Sequence, residues 1–138
     1  MLVPLLALIF AIMDFGFVIF LRSTFQHAAR EGVRYAITGR TDAGTGQDAS
    51  IKTRVQTNAL GFLNGTTGAA KIFIRYYVPG TLAVTQSNAG GNIVEVSVEG
   101  YTWGWMAPLL RNGFPPLTIQ ARSSDRMEPP PGGTPPTR

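Results

Sequence analysis

From Met1 to Leu21 every residue is apolar, aromatic, glycine or proline except Asp14. Wound as a helix, this run reaches about 30 Å, the thickness of a bilayer hydrocarbon core and more than a buried core segment of roughly 10–14 residues needs. A membrane-length helix is therefore the first expectation. No basic residue stands ahead of the run and no small-x-small site separates it from Arg22, so it is expected to be retained rather than removed as a secretory signal. Pro4 falls in the opening turn, where its missing N–H does no harm, and Gly16 is tolerated in membrane helices.

Beyond Leu21 the same helix is expected to continue to about Ile37. Arg22, Gln26, Arg30 and Arg34 recur every four residues as one polar stripe, while Phe25, Ala28, Ala29, Gly32, Val33 and Ala36 form a small apolar side. The Ala28, Gly32, Ala36 series permits close backbone approach by another element. Thr38-Gly39 is the expected stop, with Gly39 in the left-handed cap conformation. Arg40–Ala49 reads as a surface loop, and a shorter helix follows, capped by Asp48 or Ser50, with Ile51, Val55, Ala59 and Phe62 or Leu63 along one face. Asn64 to Gly68 ends it. The period then changes from four to two: Lys71–Val78, Asn92–Tyr101 and Leu117–Arg122 read as strands, with a short one at Leu82–Val84. In the second, Ile93, Glu95, Ser97 and Glu99 should share a wet face opposite Val94, Val96 and Val98. The fold class expected is α+β: a long N-terminal helix with an apolar first half, a second short helix, and an antiparallel sheet of three to four strands. The division is 1–21 for the apolar helix half, 22–127 for its continuation and the head, and 128–138 for a Pro/Gly-rich tail that is extended or disordered.

Composition narrows the chemistry. At 138 residues the chain has room for one domain, and 44% hydrophobic against 14% charged residues is not a disordered composition. The absence of cysteine excludes thiolate metal sites and thiol nucleophiles, and the single histidine, His27, leaves no second imidazole to complete a site with Glu31 one turn on. No Ser-His-Asp order and no phosphate-cradling loop is present, so catalysis, cofactor and metal are not expected. The net charge is +4 and ten of the twelve basic residues are arginine. Tyr101, Trp103, Trp105 and Met106 form an aromatic cluster before Pro108. It reads as packing rather than a single-stranded nucleic-acid platform, because only Lys71, Arg75 and Arg111 could flank it, and no nucleic-acid partner is expected.

Asp14 needs a reason to lie in an apolar run, since an isolated carboxylate in a bilayer core costs about 2.5–3.5 kcal/mol on insertion scales. Three are open: a cation from another subunit, a proton, or a polar seam against an assembly protein. Arg22 lies about 12 Å along the same helix, too far for a direct pair. A copy displaced by that rise would bring its Arg22 to Asp14, and one displaced by about 20 Å would bring the Met1 amine. The arginine stripe itself reads equally as headgroup anchoring or as intersubunit pairing.

The segments Pro4-Leu5-Leu6, Asp14-Phe15-Gly16 and Ala28-Ala29-Arg30-Glu31-Gly32-Val33-Arg34-Tyr35-Ala36 together resemble the TadE-like family of tight-adherence pilus proteins, which are similar to type IV pilins and pseudopilins. The family more often has glutamate at the position of Asp14. The resemblance implies a pilin-like, non-enzymatic subunit of an extracellular type IV-like filament, stored in the inner membrane and active in surface adhesion. It implies as partners copies of the chain, other pilins and an inner-membrane assembly platform. Pro4, Leu5, Leu8, Asp14, Phe15, Gly16 and Arg22 are the residues expected at the intersubunit filament core. Ala28, Gly32 and Ala36 are expected to pack the helix on the head. Two other readings are a minor pseudopilin that initiates assembly and a single-pass anchored binding protein using the aromatic loop.

Overall fold

The computed structural model describes residues 2–138. Helix α1 runs unbroken over Leu2–Ile37, and the Gly39 amide bonds the Ala36 carbonyl with Gly39 at φ 63°, the left-handed stop that its lack of a Cβ permits. Helix α2 spans Gln47–Asn58 and a short α3 spans Gly65–Ala69. Strands β1 (Ile72–Tyr77), β2 (Val84–Thr85), β3 (Ile93–Trp103) and β4 (Leu117–Arg126) make one antiparallel sheet in the order β2-β1-β3-β4, with α4 (Pro108–Gly113) between β3 and β4. This is a pilin-like α+β arrangement, a long apolar helix carrying a four-stranded sheet.

The two halves of α1 live in different surroundings. From Leu21 onward its small side is sealed: Leu21, Phe25, Ala28, Ala29, Val33 and Ala36 are buried against α2 and the sheet. Apolar side chains spaced three and four apart meet Ile51, Val55, Ala59 and Leu63 of the α2 region and Val94, Val96 and Val98 of β3, forming one continuous core. Toward the N-terminus only α4 lies near the helix, and Leu2, Val3, Leu5, Leu8, Ile9, Ile12 and Met13 are exposed.

Several details differ from the sequence reading. Helix α2 starts at Gln47, inside the expected loop, with Gly46 at its cap and no side-chain cap bond. Neither Asp48 nor Ser50 caps it, because Asp48 accepts from the Tyr76 hydroxyl and the Arg138 guanidinium while Ser50 bonds the Gly46 carbonyl. The edge strand is Val84–Thr85 rather than Leu82–Val84, since Leu82 takes a turn conformation at φ 54°. Helix α4 falls between β3 and β4, where no helix is expected from the sequence, with Pro108 in its first turn, where proline is pre-set for helix. Of the two alternatives for the tail, extended and disordered, the structure has the extended one with specific partners: the Glu128 amide bonds the Ile37 carbonyl, and the Gln47 amide bonds that of Thr137.

The outer face of the sheet is polar, yet its centre is not wet. Glu95 and Ser97 are buried, because Arg75 lies across them from β1, donating to Glu95, Ser97 and Glu99, with Arg122 of β4 alongside both acids. The Arg75 guanidinium, then the Ser97 hydroxyl, hold the Glu99 carboxyl at about 2, against an ordinary 4.5. Because the folded value is the lower one, this contribution is complete above pH 4.5 and is lost as pH falls toward 2. At a partly screened site it is worth about 1–2 kcal/mol. Acid titration of unfolding should show that slope in wild type and a shallower one in Glu99→Gln; equal slopes would refute the assignment.

Candidate functional site

The exposed half of α1 ends at Asp14, the first buried residue of the helix. The carboxylate is fully buried and accepts hydrogen bonds from the Met106 amide (3.0 Å to either oxygen), the Ala107 amide (2.8 Å) and, at longer range, Trp103 Nε1 (3.4 Å). Two successive backbone amides and an indole thus converge on one acid. Each would be an unpaired donor without it, and charge-assisted bonds of this kind are the strong class. The three reasons for Asp14 open at the sequence level all place its partner outside the chain or give it a proton. The structure supplies a partner within the chain, and both oxygens are occupied. The Met1 amine, the other cation considered there, lies outside the described residues.

A bulge in β3 makes this convergence possible. Val98 pairs with Ala121 but Tyr101 with Ile119, so β3 carries one residue more than β4 there, with Gly100 at φ 70°. Unbroken alternation from Val94, Val96 and Val98 would turn residues 100 and 102 toward α1 and leave Tyr101 and Trp103 on the polar face. The extra residue reverses this: Tyr101 stacks edge-on against Phe25 at 4.8 Å, and Trp103 lies 4.4 Å from Phe17. Phe17 also meets Phe62, and Phe15 meets Trp105, whose indole donates to the Pro115 carbonyl. The aromatic cluster therefore does not stand in a loop as an open surface. It forms a collar around the middle of α1. A glycine inside a strand pattern was the available signal for the bulge.

The other residues singled out from the sequence fall into two groups. Pro4, Leu5, Leu8, Phe15 and Gly16 lie on the exposed surface of α1, and an added Cβ at Gly16 would meet nothing within 4 Å. Arg22 is exposed beside the β4 edge, where its neighbour Gln26 donates to the Arg122 carbonyl. Ala28, Gly32 and Ala36 are buried, and a Cβ on Gly32 would come 2.5 Å from Val55 Cγ2 and 3.3 Å from Val96 Cγ1. His27 is exposed, and among the described residues no group of three His, Cys, Asp or Glu side chains could hold a metal ion. A hollow of about 690 Å³ lies between the end of α1 and α2 and has mixed charge, with Arg34, Arg40 and Arg54 facing Glu31 and Asp42.

Comparison with known families places a match on this helix: the profile of TadE-like protein matches residues 1–34. Residues 1–34 are a TadE-like segment. That family is associated with the Tad pilus and consists generally of non-enzymatic structural proteins of the cell envelope, which implies pilus-assembly partners. No curated protein and no solved structure matches the chain. The matched region contains Asp14, Ala28 and Gly32, whereas Ala36 and the loop and strand that hold Asp14 lie outside it.

Proposed function

We propose that this TadE-like chain is a structural, pilin-like subunit of an extracellular Tad filament, built by packing of exposed N-terminal helix halves and acting in surface adhesion. The observation that carries this reading is the asymmetry of α1. The small side of its second half is sealed into the head, while its first half presents exposed apolar side chains, Leu5 and Leu8 being 55% and 58% exposed. Such a surface requires lipid or other helices. Before assembly it is held in the inner membrane. In the filament it packs against copies of itself or other pilins, with an inner-membrane platform making the transfer. Pro4, Leu5, Leu8, Phe15 and Gly16 form the contact surface, with Gly16 allowing close helix approach, and Arg22 sits at its margin. Asp14 contributes by fixing the head to the helix at this junction. The packing of Tyr101 on Phe25 and of Trp103 on Phe17 weighs against the reading as an anchored binding protein that uses this cluster.

Electron microscopy of material sheared from the cell surface, with peptide mass spectrometry of the same fraction, tests this. Filaments in which the chain dominates are expected. A trace amount there would make it a minor, initiating subunit. A chain found only with the membranes would overturn the filament reading.

A further inference from the structure

Helix α4 runs back along α1 beyond Asp14. Pro108 and Leu109 face Val3, Leu6 and Phe10 across an apolar hollow of about 540 Å³. At 1.5 Å per residue, Phe10 and Val3 lie roughly 16–27 Å from Leu21, where the apolar run ends, and Asp14 lies about 10 Å from it. A bilayer that took up the whole of residues 1–21 would therefore enclose α4 as well, from the membrane's middle to its far side.

The chemistry of this element does not suit that place. Arg111 is exposed and, among the described residues, has no ion pair, while Asn112 beside it lines the hollow. An unpaired cation facing lipid at mid-membrane is costly. Helix α4 has six residues, so the carbonyls of its last turn lack intrahelical partners, and irregular backbone facing lipid has nothing else to bond. A spanning α1 and a docked α4 thus exclude one another. Asp14 tilts the balance in the same direction: its charge is costly in lipid, whereas beside the docked loop both its oxygens accept from the Met106 and Ala107 amides.

We infer that residues 104–116 are a clasp, undocked while α1 spans the membrane and closed on Asp14 and the Val3–Phe10 side of the helix once α1 has left it. This rests on the membrane-stored reading of α1. The closed arrangement is then the form of the chain outside the bilayer. Because lipid and clasp compete for the same stretch of helix, closure opposes return and gives the exit of α1 a direction.

The chain has no cysteine, so cysteine pairs can be introduced without competing thiols. Leu6→Cys with Leu109→Cys places one thiol on each side of the hollow. Gln26→Cys with Arg122→Cys ties α1 to the head beyond Leu21, where Gln26 donates to the Arg122 carbonyl at 2.8 Å. The full chain in mild detergent is treated with a reductant-cleavable bis-maleimide and offered to phosphatidylcholine–phosphatidylglycerol vesicles as the detergent is removed. Integration is read as resistance to alkaline extraction. Expected are loss of integration when the Leu6 and Leu109 positions are cross-linked, recovery when the linker is cut, and undiminished integration with the Gln26 and Arg122 positions cross-linked. Equal integration of the chain cross-linked at Leu6 and Leu109 and of the uncross-linked chain would overturn the inference, since α1 and a docked α4 would then enter lipid together. So would failure of that pair to cross-link, which would mean that α4 does not close on this part of α1. In both cases integration of the uncross-linked chain leaves the membrane reading standing. An uncross-linked chain that does not integrate would remove that reading and the inference together.

Discussion

Asp14→Leu is expected to release the loop and α4 from the helix while leaving the rest of the sheet folded. The substitution removes the acceptor of the Met106 and Ala107 amides and of the Trp103 indole at once. Stranding a buried donor costs about 1–3 kcal/mol, so the loop should escape to solvent instead of remaining in place. The core of Phe25, Val96, Val55 and Ile51 lies further along the helix and does not depend on it. Local opening costs less than global unfolding, and proteolysis follows the population of the open form. Tryptic cleavage after the exposed Arg111 should therefore accelerate by about tenfold or more, the equivalent of roughly 1.4 kcal/mol. Asn at the same position keeps one acceptor but presents its NH₂ to donors, and should be intermediate. Unchanged cleavage in both variants, with the Met106 and Ala107 amides still protected from exchange, would show that Asp14 is not what holds the loop.

The second large effect is expected at Gly32. A helix normally gains about 1 kcal/mol when an interior glycine becomes alanine. Here the new methyl would meet Val55 Cγ2 at 2.5 Å, and a β-branched valine buried between α1 and the core has little freedom to turn away. Overpacking of this kind costs about 1–3 kcal/mol, so Gly32→Ala should be neutral to destabilising by about 2 kcal/mol net, and Gly32→Leu should cost several kcal/mol. That is a large share of the roughly 5–15 kcal/mol available to a domain. Chemical denaturation followed by near-UV circular dichroism measures both. A Gly32→Ala protein more stable than wild type would mean that α1 and α2 are not in close contact at this position.

Both residues were visible before the fold, but for unequal reasons. Gly32 was legible because helical spacing alone puts Ala28, Gly32 and Ala36 on one side, and small residues at that spacing serve close approach whatever the partner. Asp14 was legible only as an anomaly. The carboxylate in an apolar run demanded a partner, yet the donors that satisfy it come from residues 89, 92 and 93 positions along the chain, and two of them are backbone amides, which no side-chain pattern advertises. The same limit explains Glu95 and Ser97. Their alternation with valine correctly placed them on the polar side of β3, but their burial depends on Arg75 reaching across from the paired strand.

Periodicity and composition thus determined the long apolar helix, the shorter helix behind it, the antiparallel sheet and the absence of any thiol chemistry, because each follows from residues near one another in the chain. Tertiary structure alone decided where the head stops along α1. That level is set by a one-residue bulge at Gly100, which turns Tyr101 and Trp103 onto the helix and carries the following amides to Asp14. Strand pairing across the fold fixes such a register, and a single inserted residue exchanges the two faces of everything beyond it.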